Sequence, residues 1–153
     1  MKFEIKFAEK GNYSLEQVRK SGWFSMENGI IYLLDDEPVF DECIGDFSSS
    51  FEDLANDMLK EGVQAIDLNN IAAGSNLEIS SWDKDIISID FYRHTKIVRI
   101  IELPKKDFVI AVLRFLRSIL SLLDEVKGYV PDYPDRLKSQ IKQIEEKYGV
   151  KTC

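Results

Sequence analysis

Hydrophobic and polar residues alternate with period two along several short segments, as in strands that bury one face. The clearest runs are residues 2–8, 77–82, 85–92 and 95–103, and residues 63–68 predict a further strand. The run over 95–103 has apolar residues at both odd-numbered and even-numbered positions, so we expect this strand to be buried on both faces. Because the connections between the later runs are short, antiparallel pairing is favoured.

A hairpin is predicted earlier in the chain, where strands over 23–26 and 29–34 would flank a turn at Asn28-Gly29. The following residues 35–38 are predicted to form a loop, because Pro38 cannot continue a central strand. Residues 39–47 are ambiguous and could hold one more short strand.

Three longer segments carry apolar residues at helical spacing, which predicts amphipathic helices. Ser49 and Glu52 match the capping-box pattern at the start of the first helix. The second helix has a wide apolar face and only a narrow polar stripe, so we expect it to be mostly buried against the sheet. A shorter helix is expected over about 14–20. The three longer helices are predicted over 50–61, 105–127 and 135–148.

These elements together predict a single α+β domain over residues 1–153. A mostly antiparallel sheet of five or six strands would pack against the long buried helix, with two further helices around it. The chain of 153 residues is long enough to bury roughly two thirds of its unfolded surface. Its hydrophobic fraction of 44% excludes a disordered chain.

The charge is negative overall and unevenly distributed. The chain has 27 acids against 20 lysines and arginines, and its pI is about 4.8. This balance argues against binding to nucleic acid or to an anionic membrane. Residues 21–59 hold ten acids and no base, an asymmetry that favours a partner with a basic surface. The alternative is that the charge serves solubility alone.

The remaining sequence features predict a cytoplasmic protein. The N-terminus lacks the apolar segment of a secretory signal. The most apolar run, residues 108–123, includes Arg114 and Arg117 and is shorter than the roughly 20 residues of a membrane span. The two cysteines, Cys43 and Cys153, do not make a disulfide scaffold, and we interpret both as reduced thiols.

No catalytic or cofactor motif is recognisable, so we predict no enzyme activity, no cofactor and no metal site. His94 is the only histidine and lies where a hairpin turn is expected, which is typical of a surface residue. A nucleophilic pair of Cys43 and His94 would have no local sequence signature. A calcium loop starting at Asp35 fails, since Val39 and Phe40 occupy its fifth and sixth positions. An irregular cation site within 35–46 stays an open alternative.

Five segments carry a resemblance to a known class of protein. They are MKFEIKF, DDEPVFDECIGDF, FEDLANDMLKEG, LEISSWD and the lysine-bearing C-terminal helix. In this pattern the chain resembles the small acidic immunity proteins of bacterial toxin–immunity systems, including those of contact-dependent inhibition. The resemblance implies a cytosolic, non-catalytic inhibitor of a cognate toxin, and many such toxins are cationic nucleases.

The acidic segment 35–46 is the predicted recognition surface, since its carboxylates could occupy a basic groove of the toxin. Phe40 is the candidate apolar anchor among the acids. One alternative is a binding or structural module that forms a homodimer through the 105–127 helix. Another is an enzyme with an unrecognised carboxylate site. The candidate partner-binding residues are Asp35, Asp36, Glu37, Phe40, Asp41, Glu42 and Asp46.

Overall fold

The computed structural model describes residues 2–8, 16, 19–20, 22, 28–44, 47–70, 74–126 and 128–152. Within these ranges, strands and helices with defined bounds alternate along the chain. In chain order they are β1 (Phe3–Ala8), β2 (Asn28–Leu34), β3 (Glu37–Ile44), α1 (Phe47–Leu59), β4 (Ile66–Asn70), β5 (Ser75–Ile79), β6 (Ile86–Arg93), β7 (Lys96–Pro104), α2 (Lys105–Leu123) and α3 (Tyr133–Tyr148).

The described strands form two antiparallel sheets, one with the order β1-β2-β3 and one with the order β4-β5-β6-β7. The α+β class and the antiparallel pairing are therefore confirmed. The sheet itself differs from the prediction, since seven strands in two sheets replace five or six strands in one. Helix α1 follows β3, and β3 and β4 end up in different sheets.

The predicted turn at Asn28-Gly29 is wrong, because both residues belong to β2. Asn28 pairs with Ile44, and Gly29 pairs with both Ala8 and Cys43. A Cβ on Gly29 would lie 3.2 Å from the Cβ of Ala8. The glycine therefore permits close packing of β1 on β2. The other half of that predicted hairpin, residues 23–26, lies outside the described residues.

The hairpin turn lies instead at Asp35-Asp36, where φ is +50° and +68°. Two-residue turns of type I′ require positive φ at both central positions. β3 begins directly after this turn and contains Pro38, so the predicted loop over 35–38 is only two residues long. β3 is an edge strand, where proline is tolerated. Val39 is an extra residue in the strand, because the pairing moves from Tyr32–Phe40 to Leu33–Pro38.

Helix α2 lies at the centre of the molecule, as the width of its apolar face predicts. It packs against β1, β7 and α3, and ten of its side chains are buried. Phe115 of α2 contacts Phe7 of β1 and Phe51 of α1, with ring centroids 4.9 and 4.5 Å apart. The apolar face of α2 is thus covered by other elements of the same chain within the described residues.

The other helices agree with the sequence pattern to within a few residues. α1 begins at Phe47 rather than at residue 50, and α3 begins at Tyr133 rather than at residue 135. α3 ends at Gly149, where φ is +65°. The short helix expected over 14–20 lies mostly outside the described residues, and the described positions 16, 19 and 20 are helical.

The two sheets share one hydrophobic core. Tyr32 and Phe40 of the first sheet contact Phe91 of the second, with ring centroids 5.3 and 4.9 Å apart. Phe3 contacts Phe108 of α2 at 6.0 Å. Aromatic rings from β1, β2, β3, β6 and α2 therefore hold both sheets against one helix.

The outer side of β7 is not buried, contrary to the prediction for 95–103. Ile101 and Leu103 face the core, whereas Ile97, Val98 and Ile100 are 48%, 50% and 57% exposed. β7 is the last of the described strands in its sheet, and these three side chains on its outer face are accessible to solvent. Apolar residues at both odd-numbered and even-numbered positions of β7 therefore do not show that the strand is buried on both faces.

Candidate partner-binding surface

Three consecutive acids lie at the exposed end of the β2–β3 hairpin, and we call Asp35, Asp36 and Glu37 the acidic tip. Two hydrogen bonds join this tip to Lys2, the residue before β1. The Asp35 N–H donates to the Lys2 carbonyl at 2.7 Å, and the Lys2 N–H donates to Asp35 Oδ1 at 2.8 Å. The turn backbone is therefore fixed, while the carboxylates of Asp36 and Glu37 face solvent.

Lys2, the residue before β1, compensates part of this negative charge, whereas Lys6 pairs with Glu4 instead. Lys2 Nζ lies 3.6 Å from Asp36 and 3.3 Å from Glu4, and Lys6 Nζ lies 3.1 Å from Glu4. The hydrogen bond to Glu4 raises the pKa of Lys2, and the one from Lys6 lowers the pKa of Glu4. Glu37 has no ion pair within the described part of the chain.

Asp41 is tied to the second sheet by Arg93 of β6. Arg93 Nη2 donates to Asp41 Oδ1 at 2.6 Å and to the Asp41 carbonyl at 2.5 Å. The same guanidinium lies 4.5 Å from the centre of the Phe40 ring, a cation–π arrangement. Asp41 remains half exposed, but Arg93 neutralises much of its field.

Glu42 is a core residue and not part of an exposed rim, since it is only 5% exposed. The Tyr32 hydroxyl donates to its Oε1 at 2.7 Å, and the Ser75 hydroxyl donates to its Oε2 at 2.9 Å. Burial raises the pKa of Glu42, and the two hydroxyl donors limit the rise. Burial also raises the pKa of Tyr32, reinforced by the neighbouring Glu42 carboxylate.

Phe40 is likewise a core residue, 5% exposed between the rings of Tyr32 and Phe91. It cannot serve as an exposed anchor in this conformation. The reason is the period of two along β3, which places Phe40 and Glu42 on the core side and Asp41 on the other. The sequence pattern of 39–47 is ambiguous, so it does not assign these residues to opposite faces of a strand.

Of the seven predicted residues, the structure brings three together as an exposed group, the acidic tip. Asp41 lies further along β3 beside Arg93, and Asp46 lies outside the described residues. Tyr32, Ser75 and Arg93 contact the segment, but the sequence did not predict them as its partners. Ser75 and Arg93 lie 33 and 52 positions away from the acids they contact, and no local pattern links them.

The acids of α1 are also partly paired. Arg136 of α3 lies 3.2 Å from Glu52, and Lys60 lies 2.9 Å from Asp57. Bases from outside residues 21–59 therefore offset several acids of this stretch. The acidic tip is left as its most exposed group of adjacent acids among the described residues.

His94 lies in the two-residue turn between β6 and β7, as predicted, with φ at +48°. Its N–H donates to the Gly74 carbonyl at 2.7 Å. Its ring covers Gly74, where a Cβ would lie 2.6 Å from His94 Cε1. The side chain of Cys43 lies outside the described part, so the Cys43–His94 pair stays untested. No group of three potential metal ligands occurs among the described residues.

Comparison with family models, with curated proteins and with solved structures returns no match. Within the described residues, none of the helices combines the length and apolar character needed to cross a membrane.

Proposed function

We propose that the protein is a non-catalytic inhibitor that binds another protein, as an immunity protein neutralises its cognate bacterial toxin. The observation that carries the proposal is the acidic tip. Its three carboxylates stand at the end of a hairpin whose turn is hydrogen-bonded to Lys2, the residue before β1. A basic groove on the partner, such as the substrate site of a cationic nuclease, is the complementary surface.

The fixed backbone favours this role energetically. A turn that is already ordered loses little conformational entropy on binding, so more of the interaction energy appears as affinity. Adjacent carboxylates on an exposed turn also attract a basic partner over a distance of about 8 Å at physiological salt. We therefore expect the acidic tip to govern the association rate more than the dissociation rate.

The rest of the segment contributes in other ways. Asp41 adds a weaker charge at the far end of β3, because Arg93 compensates it. Phe40 and Glu42 support the fold of the hairpin instead of touching the partner. The proposed site of action is the cytoplasm, where a toxin that has entered the cell would reach its substrate.

The proposal is tested by co-expression with the product of the neighbouring gene. Survival of the cells and co-purification of the two proteins are the expected results. If the neighbouring product is harmless alone, or if it neither binds nor is neutralised, inhibition of that protein is excluded.

The role of the acidic tip is tested with the double substitution Asp36→Lys and Glu37→Lys. We expect the association rate at low salt to fall by at least tenfold, and its dependence on salt to weaken. The matched control reverses two exposed acids elsewhere, Glu61→Lys and Glu146→Lys, and changes the net charge equally. Equal kinetics for the two variants would mean that the tip has no special role.

A further inference from the structure

A cleft lies on the outer face of the second sheet, where the β6–β7 turn meets the start of β5. Its volume is about 560 Å³, which is in the range of small-molecule sites. Asn76 of β5 and Tyr92 of β6 are directly opposite each other, so their side chains share this face. Glu78, the next residue of β5 on the same face, and His94 of the turn also line the cleft.

The end of the cleft at the β6–β7 turn is held in place by the backbone. His94 and Thr95 form this turn, with φ at +48° and +72°. The His94 N–H donates to the Gly74 carbonyl at 2.7 Å, and the imidazole ring covers Gly74. This wall of the cleft is therefore formed before a ligand binds, which lowers the entropy cost of binding.

The outer face of this sheet is negative. Asp67 of β4 is opposite Glu78, and Glu78 is opposite Asp90 of β6, so three carboxylates form one row across the sheet. The described strand positions that share this face hold no lysine or arginine. Like charges at directly opposite positions destabilise a sheet. A cation beside Glu78 would relieve this repulsion, whereas a phosphate group would add to it.

The hydrogen-bonding groups of the cleft favour a ligand that donates. Asn76 Nδ2 donates to Glu78 Oε1 at 3.4 Å, which leaves Asn76 Oδ1 and further sites of the Glu78 carboxylate as acceptors. Burial raises the pKa of Tyr92, and the Glu78 and Asp90 carboxylates add to the rise. Because no group of three potential metal ligands occurs among the described residues, an organic cation fits better than a metal ion.

We propose that the cleft binds a guanidinium group, which donates to Glu78 and Asn76 and lies flat on the Tyr92 ring. A guanidinium group has donors and no acceptor, and its fork matches a carboxylate. It also stacks on aromatic rings and is more weakly hydrated than an ammonium group. Glu78 and His94 are exposed, so the group can belong to a free small molecule or to an arginine side chain of a polypeptide.

Two singly charged compounds with the same alkyl chain test the choice of cation. Butylguanidinium and butylammonium are titrated into the isotope-labelled full chain, and the amide shifts are followed by NMR. We expect saturable shifts around Gly74, Asn76 and Tyr92 with butylguanidinium, and several-fold weaker binding of butylammonium. Equal affinities, shifts that do not saturate, or shifts confined to other parts of the protein would overturn the proposal.

Substitution of Glu78 tests the carboxylate contact. Glu78→Gln should weaken the binding of butylguanidinium about tenfold, because it removes a charge-assisted hydrogen bond. The matched control Glu102→Gln removes the same charge from an exposed position on the same face of the sheet, outside the lining of the cleft. It should change the affinity little. If both variants weakened binding equally, the cation would respond only to the field of the sheet, and no site would exist.

Substitution of Tyr92 tests the stacking. Tyr92→Phe keeps the ring and should retain binding, whereas Tyr92→Leu should lose most of it. Circular dichroism checks that each variant is folded, which is expected since Tyr92 is partly exposed. Retained binding in a folded Tyr92→Leu variant would exclude the stacked geometry.

The peptide acetyl-Gly-Arg-Gly-amide, which carries one guanidinium group, identifies the source of the ligand. Binding at least as tight as that of butylguanidinium would assign the cleft to an arginine of a polypeptide, and weaker binding would assign it to a free small molecule. These titrations contain no toxin, so their outcome is independent of the proposed inhibition.

Discussion

Glu42 is an acid whose position could not be read from the charge pattern. Its carboxylate is buried where β3 meets β5, and two neutral hydroxyl groups donate to it. Neutral donors replace only part of the lost hydration, so the pKa rises above its ordinary value of 4.5. A folded-state pKa above the unfolded value means that the folded protein binds the proton more tightly. This contribution to stability is complete below about pH 4.5 and is lost as the pH rises through the folded pKa.

Glu42→Gln should remove this pH dependence. Glutamine keeps the shape, can accept the hydrogen bond from Tyr32 and can donate one to the Ser75 oxygen. We expect the free energy of unfolding of the variant to rise relative to wild type as the pH increases from 4, until Glu42 is fully ionised. Urea denaturation across pH 4 to 8 measures this difference.

Glu146→Gln is the control, because Glu146 is exposed on α3. It makes the same change of side chain at an exposed position and so serves as the reference over the same pH range. If the Glu42→Gln curve ran parallel to wild type, the Glu42 carboxyl group would titrate alike in the folded and unfolded chain. The hydrogen bonds from the Tyr32 and Ser75 hydroxyl groups would then compensate fully for the hydration that the Glu42 carboxylate loses on burial.

Among the elements, those that depend on local periodicity were predictable from the sequence. The alternation of β1 and β6 and the wide apolar face of α2 identify elements that the structure contains. Asn28-Gly29 was mispredicted because its hairpin preference is local, while its actual role depends on the packing of Ala8 against Gly29. β7 was mispredicted for a similar reason, since an apolar strand at a sheet edge has the same sequence pattern as a buried strand.

The β2–β3 turn offers a test at the scale of one element. Asp35 and Asp36 both adopt positive φ, which costs an L-residue about 1–2 kcal/mol each and costs glycine almost nothing. Asp35→Asn with Asp36→Gly creates the preferred sequence for this turn and keeps the Oδ1 that accepts the Lys2 N–H. We expect the free energy of unfolding to rise by about 1 kcal/mol in urea titrations.

The same variant should associate more slowly with the partner, because it loses two of the three carboxylates of the acidic tip. Stability and binding would then change in opposite directions. Asp36→Ala separates the causes, since it removes one charge but gains no glycine and should not stabilise the fold. A less stable Asn-Gly variant would contradict the turn assignment.

At the scale of the molecule, the candidate site was predictable only where it depends on charge alone. The acidic tip follows from three adjacent acids, and its exposure needs no long-range contact. The burial and contacts of Phe40, Asp41 and Glu42 depend on β5 and β6. These strands contact β3 only after the two sheets pack together. Tertiary packing of this kind leaves no signal within the segment itself.

Arg93 is the residue at which the two sheets are most directly connected by charge. Arg93→Ala removes the ion pair with Asp41, the hydrogen bond to its carbonyl and the contact with the Phe40 ring. Because Arg93 is partly exposed, solvent screening limits the expected loss to about 1–2 kcal/mol. Hydrogen exchange should show reduced amide protection in β3 and at the end of β6, whereas α3 should change little.

Arg93→Lys tests whether the planar guanidinium group contributes more to the contact between the sheets than its positive charge alone. Lysine keeps the positive charge, but it cannot donate to the Asp41 carboxylate and carbonyl while lying flat over Phe40. We therefore expect Arg93→Lys to resemble Arg93→Ala in exchange protection, and Arg114→Ala on the exposed side of α2 to resemble wild type. If lysine restored full protection, attraction between charges would suffice to join the sheets, and the stacking on Phe40 would contribute nothing.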